Sequence, residues 1–269
     1  MSEQRRSGRR WLGRVRELRD RATREREGVC YVEGIRQVLS AQEGSHGLEA
    51  VFVDLARLKS EVAWEAVAAA RAGGAEYVEL TTREFERISS RENPVGIAAI
   101  VWWGVGALEE LTPVTDGLYL VADDVRDPGN LGTLVRTLDA VGGRAAVVLA
   151  GTDPSHPNAL RASLGTTFRV PVFRAASHDE LFGWTARHGV TTIATSAKAE
   201  HGLWETPVTL PAAVLVGNEG DGLAEETVAR CDLRVAIPML GTATSLNVSV
   251  AAGVVLYEVR RLSESNLDA

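Results

Sequence analysis

Leu118-Tyr119-Leu120-Val121-Ala122 runs directly into Asp123-Asp124-Val125-Arg126-Asp127-Pro128-Gly129-Asn130, and then into Leu131-Gly132-Thr133-Leu134-Val135-Arg136. Five consecutive apolar residues read as a buried-type strand, too short for a helix of ordinary length. The loop Asp123–Asn130 follows, and a helix is expected from about Leu131 to Val141. A strand feeding a helix in this way is the repeating unit of a parallel α/β sheet, and the free N–H groups at such a helix start suit an anion. Arg136 then lies a turn and a half into the helix, near its mouth. The stretch excludes some sites. G-x-G-x-x-G and the Walker A lysine pattern are absent, and the aspartates lack EF-hand spacing and its closing glutamate. Taken alone, the turn is equally explained as a solvated connection capped by Asp127 or Asn130.

The same alternation extends in both directions. Ala145–Leu149, Val170–Phe173, Thr191–Thr195, Ala212–Val216 and Leu233–Ile237 read as strands. Asn158–Leu164, Asp179–His188, Glu225–Arg230 and Leu246–Leu262 read as helices, which together predicts a parallel sheet with helices on both faces. Upstream, Cys30–Ser40 reads as helical on Ile35, Val38 and Leu39. Ala50–Asp54, Tyr77–Leu80 and Gly96–Trp102 read as strands. Val62–Arg71 is a helix stopped by Gly73-Gly74, and Thr82–Ile88 is one capped by Thr81 or Thr82. The expected organisation is a basic arm (1–29), a small α/β domain (30–107), a linker (108–116), a larger α/β domain (117–262) and a tail (263–269).

With 269 residues, 45% hydrophobic and 24% charged, the chain is expected to be soluble and globular, with core enough to need no staples. No apolar run approaches the ~20 residues of a membrane span, and no secretory h-region is visible. Cys30 and Cys231 stand apart with no CxxC. His46, His156, His178, His188 and His201 share no metal-ligand spacing, so no metal is expected. These features predict a reduced, cytoplasmic protein with no membrane partner. The net charge of −7 is uneven: residues 1–29 hold ten arginines against five acids, leaving about −12 on the rest. Such an arm suits phosphate contacts, or serves as a solubilising tail. Trp11, Val15 and Leu18 recur at helical spacing, so one side of a short helix there can be anchored. Lys59 and Lys198 are the only lysines.

Two later loops complete the picture. Leu215-Val216-Gly217-Asn218-Glu219-Gly220-Asp221-Gly222-Leu223 lets backbone approach a ligand closely. Ile237-Pro238-Met239-Leu240-Gly241 leads to Ser245-Leu246-Asn247-Val248-Ser249, where Ser245 and Asn247 sit at a helix start. In this order the three loops resemble the motifs of the SpoU/TrmH family of the SPOUT superfamily, the RNA ribose 2′-O-methyltransferases. Arg161-Ala162-Ser163-x-Gly165 with Phe168 and Pro171 is also similar to the family. Residues 118–262 carry the strong resemblance. Residues 30–101, with Val32-Glu33-Gly34 and Asn93-Pro94-x-Gly96, more loosely resemble the L30e-like substrate-binding domain.

The resemblance implies a parallel-sheet SPOUT-type domain with a C-terminal trefoil knot, preceded by a small L30e-like α/β domain. It implies a homodimer that uses S-adenosylmethionine, with Thr195, Gly217, Ile237 and Leu246 around the cofactor. Arg136, Asn130, Glu219, Ser245 and Asn247 take the catalytic positions. Arg136 matches an arginine for which a base role is proposed, but guanidinium is almost never deprotonated, so holding phosphate suits it better. Ribosomal RNA is favoured over transfer RNA because the upstream domain is commoner in ribosomal-RNA members, and a ribosomal methyltransferase of this type could confer resistance to an antibiotic bound nearby, which the sequence does not show. The rivals are a transfer-RNA methyltransferase and a non-catalytic RNA-binding or ribosome-assembly protein of the same fold. A nucleotide-binding oxidoreductase is disfavoured by the missing fingerprint. Trp102-Trp103 is expected to fill the junction between domains, with base stacking as the alternative.

Overall fold

The computed structural model describes residues 3–196, 199 and 202–265; His201 and Lys198 lie outside the described residues. Residues 3–105 run α1 (Glu3–Glu17), α2 (Arg21–Glu27), β1 (Val29–Glu33), α3 (Ile35–Glu43), β2 (Leu48–Val53), α4 (Glu61–Ala72), β3 (Glu76–Glu79), α5 (Thr82–Ile88) and β4 (Ile97–Trp102). The chain continues β5 (Gly106–Ala107), β6 (Leu118–Ala122), α6 (Pro128–Ala140), β7 (Ala145–Val148), α7 (Pro157–Ala162), β8 (Val172–Arg174) and α8 (His178–His188). It ends with β9 (Thr191–Thr195), β10 (Ala212–Val216), α9 (Glu225–Arg230), β11 (Leu233–Val235) and α10 (Val248–Ser265). By packing it divides into two units, 1–105 with 155–169, and 106–154 with 170–269.

The first unit holds a four-stranded sheet in the order β1-β4-β2-β3. β4 runs antiparallel to β1 and β2, while β3 is parallel to β2. The helical expectation for Cys30–Ser40 is corrected at its first half. Val29–Glu33 is buried along its whole length and pairs with Ala98–Trp102, a ladder no local periodicity reveals. Gly34 then turns at φ 109°, a conformation open to glycine, and α3 begins. The basic N-terminal stretch is helical. Trp11, Leu12, Val15 and Leu18 are buried in one cluster with Phe52, Val78, Leu80 and Phe85. Each such burial stabilises by ~1.5–3 kcal/mol, so α1 is a structural part of this unit. The stretch 155–169 joins the same unit: Gln37 Nε2 donates to Leu160 O at 3.1 Å, and His46 contacts Phe168 O at 3.1 Å. Trp103 is buried edge-to-face against Phe168, whereas Trp102 is half exposed.

Among the described residues, the second unit carries a seven-stranded sheet in the order β11-β9-β10-β6-β7-β8-β5, with every pairing parallel. β6 and β10 are buried throughout, as strands of a covered parallel sheet must be. Tyr119, Val121, Val147 and Leu215 share a cluster with Leu181 and Trp184 of α8. α6 and α10 pack on each other and on β6 and β10. The stretch 108–116 is packed as well: Leu108 and Leu111 belong to that cluster, and Trp184 Nε1 donates to Leu111 O at 3.2 Å.

Candidate active site

Four neighbouring parallel strands, β11-β9-β10-β6, end at one edge of the second sheet, the edge where open α/β sheets bind ligands. The loops that leave this edge are the three singled out by sequence. Each is held by its own local chemistry. After β6, Asp127 caps α6 by accepting from Asn130 N at 2.8 Å, and Pro128 occupies the first helical turn. After β10, Asn218 Oδ1 accepts from Gly220 N at 2.9 Å and Asp221 N at 2.7 Å, while the Asn218 and Gly222 backbones exchange two hydrogen bonds. Gly217 permits this closure, because a Cβ there would fall on the backbone of Gly222 and Leu223. After β11, residues 237–247 cross without regular structure, and Asn247 Oδ1 accepts from Ser249 N at 2.9 Å to start α10.

The loops are then tied to one another. Glu219 Oε1 accepts from Asn130 Nδ2 at 2.8 Å and Asp127 N at 3.1 Å, and its Oε2 accepts from Arg126 N at 3.1 Å. The other end of the Asn130 amide, Oδ1, accepts from Asn247 Nδ2 at 3.1 Å. Ser249 Oγ donates to Asn130 O at 3.1 Å. Because ionised Glu219 can only accept, the Asn130 amide nitrogen must face it and the amide oxygen must face Asn247. Partial burial would push the Glu219 carboxyl up. The bonds from Asn130, Arg126 and Asp127 outweigh that and hold it below the usual carboxylate range. Asp124, at φ 57°, pairs with Arg126 at 2.7 Å across the front of the first loop.

The expected residues fall into three groups. Asn130, Glu219 and Asn247 form the hydrogen-bonded set. Gly217 sits buried at the end of β10, Ile237 and Leu246 bound the irregular segment, and Thr195 ends β9 with Oγ1 donating to Leu215 O at 3.0 Å. Ser245 is exposed and makes no hydrogen bond to the set. Arg136 is also apart. α6 begins at Pro128 rather than Leu131, so Arg136 lies eight residues into the helix, ~12 Å along it, and not a turn and a half from the mouth. Its side chain is exposed, with no hydrogen-bond or ion-pair partner among the described residues. Ser249 and Arg126 join the site without having been singled out. The signals for Ser249 were its place at the end of the third motif stretch and in the first turn after Asn247. Among the described residues no three His, Cys, Asp or Glu side chains converge as metal ligands, and no helix is long and apolar enough to cross a membrane.

Comparison with known proteins agrees with the motifs. The model of the SpoU rRNA Methylase family matches residues 117–257, and that of the MRM3-like substrate binding domain matches residues 12–99. The 23S rRNA (uridine(2479)-2′-O)-methyltransferase of Streptomyces viridochromogenes is 30% identical over 91% of this chain and 86% of its own. A 23S rRNA (guanosine(2553)-2′-O)-methyltransferase of Bacillus subtilis is 35% identical over 67% of this chain and 71% of its own. Among solved structures, the AdoMet-bound rRNA methyltransferase from Sinorhizobium meliloti superposes with a TM-score of 0.84 at 28% identity, covering 93% of this chain and 94% of that one. The resemblance read from the three loops is borne out, and the chain belongs to the SpoU rRNA Methylase family.

Proposed function

We propose that this protein transfers the methyl group of S-adenosylmethionine to a ribose 2′-hydroxyl of 23S-type ribosomal RNA, as a cytoplasmic homodimer whose C-terminal segment forms a trefoil knot. The observation that carries the reading is the Glu219–Asn130–Asn247 set, which joins all three motif loops at the ligand-binding edge of the sheet. The site's chemistry fits the cofactor. Gly217–Leu223 and Ile237–Asn247 contain no lysine or arginine to repel a sulfonium. Leu240 is 98% exposed, and Met239 and Leu246 also leave apolar surface for an adenosine to cover.

When bound, S-adenosylmethionine supplies an electrophilic methyl group on sulfur. In this reading the backbone around Gly217, Ile237 and Leu246, with Thr195, holds the adenosine. Glu219 organises the site and does not take a proton, because three N–H donors occupy its two oxygens and lower its basicity. Asn130 and Asn247 fix the loop edges between which the ribose enters, and Ser245 offers a free hydroxyl to orient it. Arg136 stays protonated and holds an RNA phosphate through its planar fork of donors. Its place outside the hydrogen-bonded set of its own chain suits a site completed at the dimer interface. Alignment of the 2′-oxygen with the methyl carbon is then the main source of rate.

The test is transfer of a labelled methyl group to protein-free ribosomal RNA, transfer RNA and assembled ribosomal subunits, with mapping of 2′-O-methylated positions. One labelled ribose in ribosomal RNA is expected. Label in transfer RNA alone would overturn the substrate, and no label in any of the three would leave a non-catalytic binder.

A further inference from the structure

The loop after β6 turns sharply as soon as it leaves the sheet. Asp124 adopts φ 57°, in the left-handed region, which aspartate tolerates at a cost and which persists where neighbouring residues fix the chain on both sides. On one side Val125 is held by backbone: it bridges Gly151, and its carbonyl accepts from Thr152 N at 2.9 Å. On the other side Asp123 is fixed twice. Its N–H donates to Val216 O at 2.9 Å, which continues the pairing of β6 with β10. Its side chain, nine-tenths buried, accepts from His178 Nε2 at 2.8 Å.

His178 is the first residue of α8, and the same ring nitrogen lies 3.1 Å from Thr227 Oγ1, a buried hydroxyl on α9. A carboxylate can only accept, so Nε2 carries the proton and the threonine oxygen shares it. A proton relay through imidazole would need both ring nitrogens, one toward each partner. Here both contacts fall on one nitrogen, so the trio holds geometry and moves no proton. α8 and α9 are also joined by Arg230, which pairs with Asp179 at 2.9 Å and lies 4.4 Å over the Phe182 ring. His178 adds the start of the β6 loop to this pair of helices.

That connection bears on the candidate active site because α9 is where the loop after β10 ends. β10 sets where this loop begins and α9 sets where it returns. Between them lies Glu219, which meets Asn130 of the β6 loop at 2.8 Å. Asn130 and Glu219 close the circuit at the tips of the two loops, and Asp123, His178 and Thr227 close it at the base. We infer that His178 is a positioning residue for methyl transfer: through Asp123 and Thr227 it fixes the base of the two loops whose tips carry Asn130 and Glu219. The inference rests on the methyltransferase reading above and gives that site a support outside its own hydrogen-bonded set.

The test compares the full-length protein with His178→Leu and His178→Gln. The substrate is ribosomal RNA, protein-free or as assembled subunits, whichever the wild type methylates. Leucine removes the N–H, whereas glutamine restores an amide N–H at the reach of Nε2. In His178→Leu, kcat should fall about tenfold to a hundredfold, the scale of an ångström-sized misplacement. KM for RNA and the affinity for S-adenosylmethionine should stay near wild type, since the loop after β10 is closed by its own Asn218 contacts. His178→Gln should recover most of the lost kcat. His178→Asn, whose shorter amide fails to reach Asp123, should behave as leucine does, and it replaces that variant if leucine prevents folding. The decisive measurement adds Glu219→Gln to the impaired His178 variant. Residues that act through one network are not additive, so kcat of the double variant should lie close to that of the worse single one. A double loss equal to the product of the two single losses would overturn the inference. So would wild-type kcat in His178→Leu, or a glutamine variant as impaired as the leucine one. A wild-type protein that methylates no RNA would sink the functional reading and the inference with it, and that result shows before any variant is compared.

Discussion

Asn130 donates its side-chain amide to Glu219 Oε1 at 2.8 Å across 89 residues of sequence, and so ties the loop after β6 to the loop after β10. With its amide oxygen held by Asn247, Asn130 has no freedom to turn. In the proposed reading the ribose enters between these side chains, which hold one another before any substrate arrives, the preorganisation an aligning enzyme needs.

Glu219→Gln keeps the size of the side chain but leaves one oxygen and an NH2 where two oxygens served three donors. At least one N–H among Arg126, Asp127 and Asn130 is then unpaired. Methyl transfer should fall tenfold or more with the fold retained, as read by activity beside circular dichroism. Its partial burial is outweighed by the hydrogen bonds from Asn130, Arg126 and Asp127, which hold the wild-type carboxyl below the usual carboxylate range in the folded state. Its stabilising effect is therefore full above the unfolded value and lost as pH falls through the lower, folded value. Melting temperature followed from pH 6 to 3 should show an acid-side loss that the glutamine variant partly lacks.

Asn247 has two jobs that substitution can separate. Aspartate keeps the acceptor for Ser249 N but sets a carboxylate against the amide oxygen of Asn130. Asn247→Asp should hold its melting temperature and lose activity. Asn247→Ala loses the cap too and should cost about 1 kcal/mol of stability. Equal activity in the aspartate variant and the wild type would remove the Asn130 contact from the mechanism.

Gly217→Ala places a methyl group on the backbone of Gly222 and Leu223. That overlap is with main chain, which has nowhere to go, so a loss of about 1–3 kcal/mol or more is expected. Titration of S-adenosylmethionine should show binding lost in the same variant, since the loop after β10 can no longer close.

Arg136→Ala removes a side chain that has no partner among the described residues, so stability should change by less than about 0.5 kcal/mol. Methyl transfer should be abolished and cofactor affinity kept. Retained turnover would exclude Arg136 from the reaction.

Cys231 is buried with its thiol donating to Thr227 O at 3.3 Å, and desolvation pushes that thiol up to about 12. Only the thiolate attacks alkylating agents. Iodoacetamide at pH 8 should therefore leave Cys231 unmodified in the native protein and label it once denaturant is added, as mass spectrometry will show.

Local pattern was enough for much of this molecule. The five-residue runs 118–122 and 212–216 and the helix 225–230 have the bounds that their apolar content and flanking residues indicate. The three loops were legible because a parallel sheet sends every such loop to one edge, so their residue types could be read together. Val29–Glu33 was not legible as a strand, since its partner β4 lies about 70 residues away and a short apolar run is compatible with either structure. The N-terminal arginines were equally ambiguous until Trp11, Leu12, Val15 and Leu18 found a core to enter. Deleting residues 1–29 would strip that core as well as charge, which makes truncation a poor probe of RNA contact.

Residue identity and order alone determined the strand-loop-helix alternation, the edge at which a ligand binds and the chemistry available there. Tertiary structure decided which of those groups meet. Asn130, Glu219 and Asn247 converge, Ser249 joins them, and Arg136, six residues beyond Asn130 on α6, makes no hydrogen bond to them. The reason is physical: caps and periodicity act over a few residues, whereas hydrogen bonds between loops depend on the order in which distant strands enter the sheet.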